Sequence, residues 1–352
     1  GRLINVYTGE VYETDIIISA DLILALGPGY KARKEMDLRG QYIAPGFIDA
    51  HVHIESTMLN PYQFARAVVP RGTTSVVSDP HEIANVCGME GIHYMMDVST
   101  GLPLSVFINA PSCVPATHMS TAGADLDADK LTTLLEHPRV VGLAEMMNFP
   151  GLILGDPAVL AKMEAYKGRI VDGHGPGVSG PWLNAYAAAG VGSDHECTTL
   201  EEATERLRLG MCIYIREGTS ERNLIELLPI VTPENSRRCC FCADDRHLTD
   251  IVDYGHIDQF IRMAIDHGSD PVTAICMASL NAAERFGLHD RGAIAPGKRA
   301  DLVVFADLND IRPTLVFSGG RLVAQENEPV ENWPEPVVDE TAVRNTVNVD
   351  WN

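Results

Sequence analysis

From Gln41 onward the chain alternates two hydrophobic rhythms. Short runs of mostly apolar residues, "QYIAPGFIDAHVH", "TTSVVSDP", "LPLSVFINAP", "RVVGLAEMMN", "GRIVDGHGP", "AGVGSDHE", "GMCIYIREG" and "RRCCFCADD", are the first of them. They read as compact β-strands. Between them lie stretches suited to helices, such as "NPYQFARAVVPRG", "IANVCGMEGIHYMMDVSTG", "DADKLTTLLEHP", "DPAVLAKMEAYKG" and "TTLEEATERLRLG", with "DPVTAICMASLNAAERFG" after the last strand. Many of these begin beside Ser, Thr, Asp or Asn and end at Gly, as helix caps and stops do. Eight strands alternating with helices predict an α/β fold, a (β/α)8 TIM barrel rather than an open sheet.

The two chain ends have a different rhythm. "RLINVYTGE" and "TDIIISADLILALGPG" at the start, and "GAIAPGKRADLVVFADL" and "PTLVFSGGRLVA" near the end, are short strands with glycine turns. They predict a small flanking β-sandwich built from both ends of the chain. The expected division is residues 1–44 and 291–325 for the two parts of the sandwich, 45–290 for the barrel, and 326–352 for an acidic, proline-containing linker or tail.

Composition narrows the partners. The 352 residues, 45% of them hydrophobic, suffice for one large core and a smaller second one. A formal charge of −21 argues against nucleic acid and anionic membranes, whose phosphates need clustered Lys and Arg, and suits a small neutral or cationic ligand. The opening residues lack the basic start and apolar core of a signal peptide, and no apolar run approaches the ~20 residues that span a bilayer. The eight cysteines include one CxxC spacing, Cys239 to Cys242, with no second pair to complete a zinc site. They are expected to be reduced, mostly buried thiols of a cytoplasmic protein.

The chemistry is concentrated at the strand ends. His51 and His53 stand two positions apart in the first strand, so their side chains share a face. The fourth strand delivers Glu145, the fifth His174, the sixth His195 and the eighth Asp244. Any one of these is ordinarily a hydrogen-bonded residue of no further consequence. Six of them in order at the C-terminal ends of barrel strands converge on one mouth, where barrel enzymes keep their active sites. Four imidazoles and two carboxylates suit Mn(II), Fe(II) or Zn(II) better than Ca(II) or Mg(II). Glu145 has an oxygen for each of two ions, and two cations sharing one water would produce hydroxide at neutral pH. Asp244, as ligand and base, would then carry a proton to a leaving group. "GHGPGVSG" has a suggestive glycine spacing, but without a following Lys it reads as a turn past the fifth strand.

"PGFIDAHVHIESTML", "GTTSVVSDPHEIANVCG", "GLAEMMNFPG", "DGHGPGVSG", "GSDHE", "CADDRH" and "GAIAPGKRADLVVF" together resemble the amidohydrolase superfamily, and within it the adenine deaminases of bacterial and archaeal type. The resemblance covers nearly the whole chain. It implies a barrel with a flanking β-sandwich, a pair of divalent ions, Mn(II) or Fe(II) before Zn(II), and hydrolysis of adenine to hypoxanthine and ammonia by a metal-bound hydroxide attacking purine C6. By the same resemblance His51, His53, Glu145, His174, His195 and Asp244 are the metal ligands, with Glu145 bridging and Asp244 catalytic. Glu145 stands where related hydrolases carry a carboxylated lysine, and Lys162 and Lys167 lie in the following helix, out of that role. Asp79, His81, Glu82, Glu196 and Asp245 are expected to touch the substrate, a small purine base, or to support the ligands. For Asp79 to Glu82 the alternative is a helix start at Asp79-Pro80. The class is commonly homo-oligomeric, and its members continue past a linker like residues 326–352 into a further domain.

Two other readings stay open at this stage. An amidohydrolase that opens a cyclic amide or removes an N-acyl group would share the ions but need a different pocket. A non-catalytic relative would be expected to have lost ligands, and none of the six is missing.

Overall fold

The computed structural model describes residues 1–346, so the last six residues of the expected tail lie outside the described residues. All eight expected barrel strands form: Phe47–Val52 (β1), Thr73–Ser78 (β2), Ser105–Ala110 (β3), Val140–Met146 (β4), Ile170–Gly173 (β5), Ser193–Asp194 (β6), Cys212–Arg216 (β7) and Cys239–Cys242 (β8). Strands β1 to β5 pair in parallel in chain order, as do β6 to β8. Two seams join these sets. Gly192 N–H donates to Val171 O at 3.0 Å ahead of β6, and Asp244 N–H donates to His51 O at 2.9 Å between β8 and β1. The result is a TIM-barrel-like α/β fold. Strands β1, β2, β7 and β8 are buried along their whole length, which explains why parallel strands read as continuous rather than alternating apolar runs.

The surrounding helices start where the chain offers a cap and a proline together. Asn60 accepts from Gln63 N–H ahead of Pro61–Val68, Asp156 caps Pro157–Ala165, and Asp270 caps Pro271–Met277. The stretch after β2 is two helices, His81–Cys87 and Met89–Val98, divided at Gly88 with φ +61°. After β8 the sequence reading missed Leu248–Asp253 and Ile257–Asp266. Neither has a side-chain cap, and Gly255 at φ +119° separates them. Yet Ile257, Phe260, Ile261 and Ala264 bury one helical face.

The chain ends meet in a seven-stranded sheet. Its centre pairs Leu302–Phe305 antiparallel to Tyr42–Pro45, which runs parallel to Arg2–Asn5. The hairpin Ile16–Ser19 and Leu22–Leu26 shares a small core with this sheet, through Leu3, Ile23, Ile43, Leu302 and Val304. The start of the tail is not the extended linker read from its composition. Glu328–Pro329 adds a short strand beside Arg321–Gln325, and Trp333 is buried in the main core with its carbonyl accepting from Tyr62 OH at 3.0 Å. One large indole outweighs the acidic residues around it. Among the described residues no helix is long and apolar enough to cross a membrane.

Candidate metal centre

The donors are aimed by the backbone before any side chain packs. Asp49, two residues below His51 on β1, accepts from His51 N–H at 3.2 Å and from Ala243 N–H at 3.1 Å, tying β1 to β8 at the level of the site. Asp244 has left-handed backbone, φ +53°, an unusual conformation for a residue other than Gly, Asn or Asp. His53 Nδ1 lies 2.9 Å from Asp79 O. A carbonyl only accepts, so Nδ1 carries a proton and Nε2 is the nitrogen turned to the site. Tyr186 OH accepts from His174 N–H at 3.0 Å and donates to Met146 O at 2.7 Å, fixing the end of β5 against β4.

The six expected donors come together, and Glu145 stands at their centre. Its Oε1 lies 3.2 Å from His53 Nε2 and 3.7 Å from His51 Nε2. Its Oε2 lies 2.6 Å from His174 Nδ1 and 3.3 Å from His195 Nε2. Asp244 Oδ1 closes the first set, 3.1 Å from His53 Nε2 and 3.5 Å from His51 Nε2. Each carboxylate oxygen of Glu145 therefore serves a different pair of histidines.

These groups fit divalent cations. Among the described residues, His51 Nε2, His174 Nδ1 and Glu145 Oε2 are buried polar atoms with no hydrogen-bond partner. His174 and Glu145 approach to 2.6 Å without hydrogen-bond geometry, as two lone-pair donors sharing one cation would. Triplets such as His51, His195, Asp244 and Glu145, His174, His195 each place their donor atoms within 4.8 Å of one another. Electrostatics agree. Burial pushes the His53 imidazole down, but Asp244 and Glu145 outweigh it and hold it well above its usual range; the same contest raises His195 to about 9. Burial would push the Glu145 carboxyl up, yet His174, His195 and His53 keep it well below the usual carboxylate range. The pocket favours positive charge.

The residues expected to touch the substrate or support the ligands divide. His81 opens the helix His81–Cys87, as the alternative reading had it, and still reaches the site: its Nδ1 is 2.9 Å from Asp79 Oδ2 and 3.5 Å from Glu145 Oε1. Glu82 and Asp245 meet through Ser56 Oγ, which is 2.9 Å from Glu82 Oε1 and in closer contact with Asp245. Glu196 Oε1 lies 3.5 Å from His174 Nδ1 and 3.4 Å from His195 Nε2. Lys162 points elsewhere and donates to Ser112 O at 2.7 Å, while Lys167 pairs with Glu164.

Three neighbours escaped the sequence reading. Arg216, the last residue of β7, donates from Nη1 to Glu196 Oε1 at 2.5 Å and to Asp244 Oδ2 at 2.8 Å. Glu55, whose carboxyl burial pushes up to about 7, accepts from Ile83 N–H at 3.2 Å. Ser56 follows it. All three sit at or just past the C-terminal ends of barrel strands, where a polar residue is informative. The eight cysteines are free thiols.

A TIM-like barrel whose strand ends carry four histidines around a shared glutamate and an aspartate defines a divalent-metal barrel protein. The chain belongs to the amidohydrolase family, whose profile matches residues 42–323. It is 53% identical over 341 residues to an adenine deaminase of Desulfatibacillum aliphaticivorans, covering 95% of this chain and 60% of that one. It is 48% identical over 349 residues to adenine deaminase 2 of Carboxydothermus hydrogenoformans, covering 99% of this chain and again 60% of the relative. The chain thus spans about 60% of the length of the curated relatives it matches. The crystal structure of an adenine deaminase superposes with a TM-score of 0.69 at 21% identity, over 92% of this chain and 98% of that one, a likeness of fold.

Proposed function

We propose that this chain carries the catalytic site of a hydrolase that converts adenine and water to hypoxanthine and ammonia. The observation that carries the reading is the division of Glu145, one oxygen toward His51 and His53 and the other toward His174 and His195. That division suits two ions, one held by His51, His53 and Asp244 and one by His174 and His195, with Glu145 shared. Mn(II) or Fe(II) is our assignment, with Zn(II) also compatible with this donor set. Ions bound there would supply a water-derived nucleophile at neutral pH.

The chain's own groups do the rest. Asp244 takes a proton from the attacking water and returns it to the departing amine as the C6–N bond breaks. Arg216 on Oδ2 leaves Asp244 Oδ1 turned toward the histidines. Asp79 pairs with His81, and Ser56 joins Glu82 to Asp245, so carboxylates predominate on the remaining wall. Such a wall suits a ligand rich in N–H donors and repels carboxylates and phosphates. The relatives named adenine deaminase support the same substrate.

The wider reading is a barrel over residues 45–290 flanked by a β-sandwich from residues 1–44 and 291–325, working as a cytoplasmic homo-oligomer on a small purine base. The test is ammonia release from adenine, guanine and cytosine, with ring opening of dihydroorotate to N-carbamoylaspartate followed beside it, by protein loaded with Mn(II) or Fe(II) under reducing conditions. Release from adenine alone is expected. Opening of the dihydroorotate ring in its place, or silence on all four with two ions bound per chain, would overturn the reading.

A further inference from the structure

By distance alone Glu196 belongs with the donors. Its Oε1 is 3.4 Å from His195 Nε2 and 3.5 Å from His174 Nδ1, hardly farther than the 3.3 Å between His195 Nε2 and Glu145 Oε2. It also follows His195 directly in the chain, so it needs no rearrangement to reach the same place. What distinguishes it is a competitor. Arg216 Nη1 approaches Glu196 Oε1 to 2.5 Å and Asp244 Oδ2 to 2.8 Å, so a single guanidinium nitrogen holds an acid from each side of the site. Arg216 is itself fixed: it is 3% exposed, and its Nη2 donates to Asn223 Oδ1 at 3.3 Å.

We propose that Arg216 is a positioning residue that withholds Glu196 from the metal ions, so that a coordination position stays open at the His174–His195 side. The proposal rests on reading this mouth as a divalent-metal site. Two consequences make the arrangement useful. A carboxylate committed to a guanidinium is neutralised as a pair, whereas the same carboxylate on an ion would cancel part of the charge that acidifies water. A catalytic site also needs a position that no protein ligand fills, and Glu196 is the side chain best placed to fill it. A lysine would not substitute, because one ammonium lacks the second nitrogen through which Arg216 also reaches Glu196 Oε2 and Asn223 Oδ1.

The test compares Co(II)-loaded wild type with Arg216→Met, Arg216→Lys, Glu196→Gln and the double variant Arg216→Met/Glu196→Gln. Azide titration is followed in the visible spectrum, ions per chain are counted by elemental analysis, and adenine turnover is measured beside them. Arg216→Met is expected to keep its ions, to bind azide at least about tenfold more weakly, and to lose about 10- to 100-fold in kcat. Adding Glu196→Gln is expected to recover most of both losses, and Arg216→Lys to resemble Arg216→Met. Wild-type azide binding in Arg216→Met, or a double variant no better than the single one, would overturn the proposal. So would loss of ions in Arg216→Met that Glu196→Gln does not repair, which is the mark of a purely structural arginine. The azide readout needs no substrate, so a wild-type protein inert toward adenine would defeat the functional reading and leave this one to be decided.

Discussion

Asp172 on β5 and His174, just past its end, stand in opposite environments. Asp172 lies inside the barrel with every oxygen matched: Oδ1 accepts from Ser193 Oγ at 2.7 Å, Tyr214 OH at 2.8 Å and Arg285 Nη2 at 2.8 Å, and Oδ2 from Asn109 Nδ2 at 2.7 Å. His174, one pleat higher, presents Nδ1 to Glu145 without hydrogen-bond geometry. In the lower network one carboxylate, with both oxygens matched, meets one guanidinium. The upper one gathers Glu145, Asp244, Asp79, Asp245 and Glu196 around His51, His53, His81, His174 and His195, with the guanidinium of Arg216 between Glu196 and Asp244. A buried polar group with all its partners in place stabilises a fold; one left facing other lone pairs awaits a ligand.

Substitutions should separate the two regions. The largest effect is expected from Glu145→Gln, which removes the shared ligand: bound metal should fall well below two ions per chain and turnover by about a thousandfold or more. Two tightly held ions would contradict the bridging role. Next, Asp172→Ala strands Arg285 in the interior and should cost about 3–5 kcal/mol in denaturant unfolding, with the metal count of the folded fraction unchanged. If it strips the ions without destabilising the chain, the two regions are not distinct. Asp244→Asn should spare the fold and lower kcat on the order of a hundredfold, and near-normal rates would remove Asp244 from proton transfer.

The smallest effect is one of pH. In metal-stripped protein, burial works to lower His195, but Glu145 and Asp244 raise it to about 9. Below that value it is protonated, so an incoming ion must displace the proton. Affinity for Mn(II), read by titration calorimetry, should therefore rise as pH rises and level off above about 9, by about tenfold per pH unit for each proton displaced. An affinity independent of pH would mean that these imidazoles are not the ligands.

Much of the upper region was legible in the sequence because its chemistry coincides with its topology. The runs ending in His51, His53, Glu145, His174, His195 and Asp244 are also the runs that form β1, β4, β5, β6 and β8, so finding the strands found the donors. What stayed hidden has no such marker. Arg216 closes an apolar run like any surface arginine, and only the fold reveals that it faces Glu196 and Asp244. Below the donors, His256 sits 3.1 Å from Asp49 Oδ2 and 2.9 Å from Thr73 Oγ1, three residues far apart in sequence. The network around Asp172 is equally silent, since Asn109, Ser193, Tyr214 and Arg285 share no spacing. The helix Ile257–Asp266 was missed for a simpler reason, the absence of a cap at His256.

On the proposed function Glu145 is shared between two cations at the barrel mouth, and anomalous diffraction from crystals of the protein grown with Mn(II) would locate both. The expected result is two peaks on either side of the Glu145 carboxylate, one beside His51, His53 and Asp244 and the other beside His174 and His195. A single peak, or peaks that leave Glu145 without a metal neighbour, would contradict it.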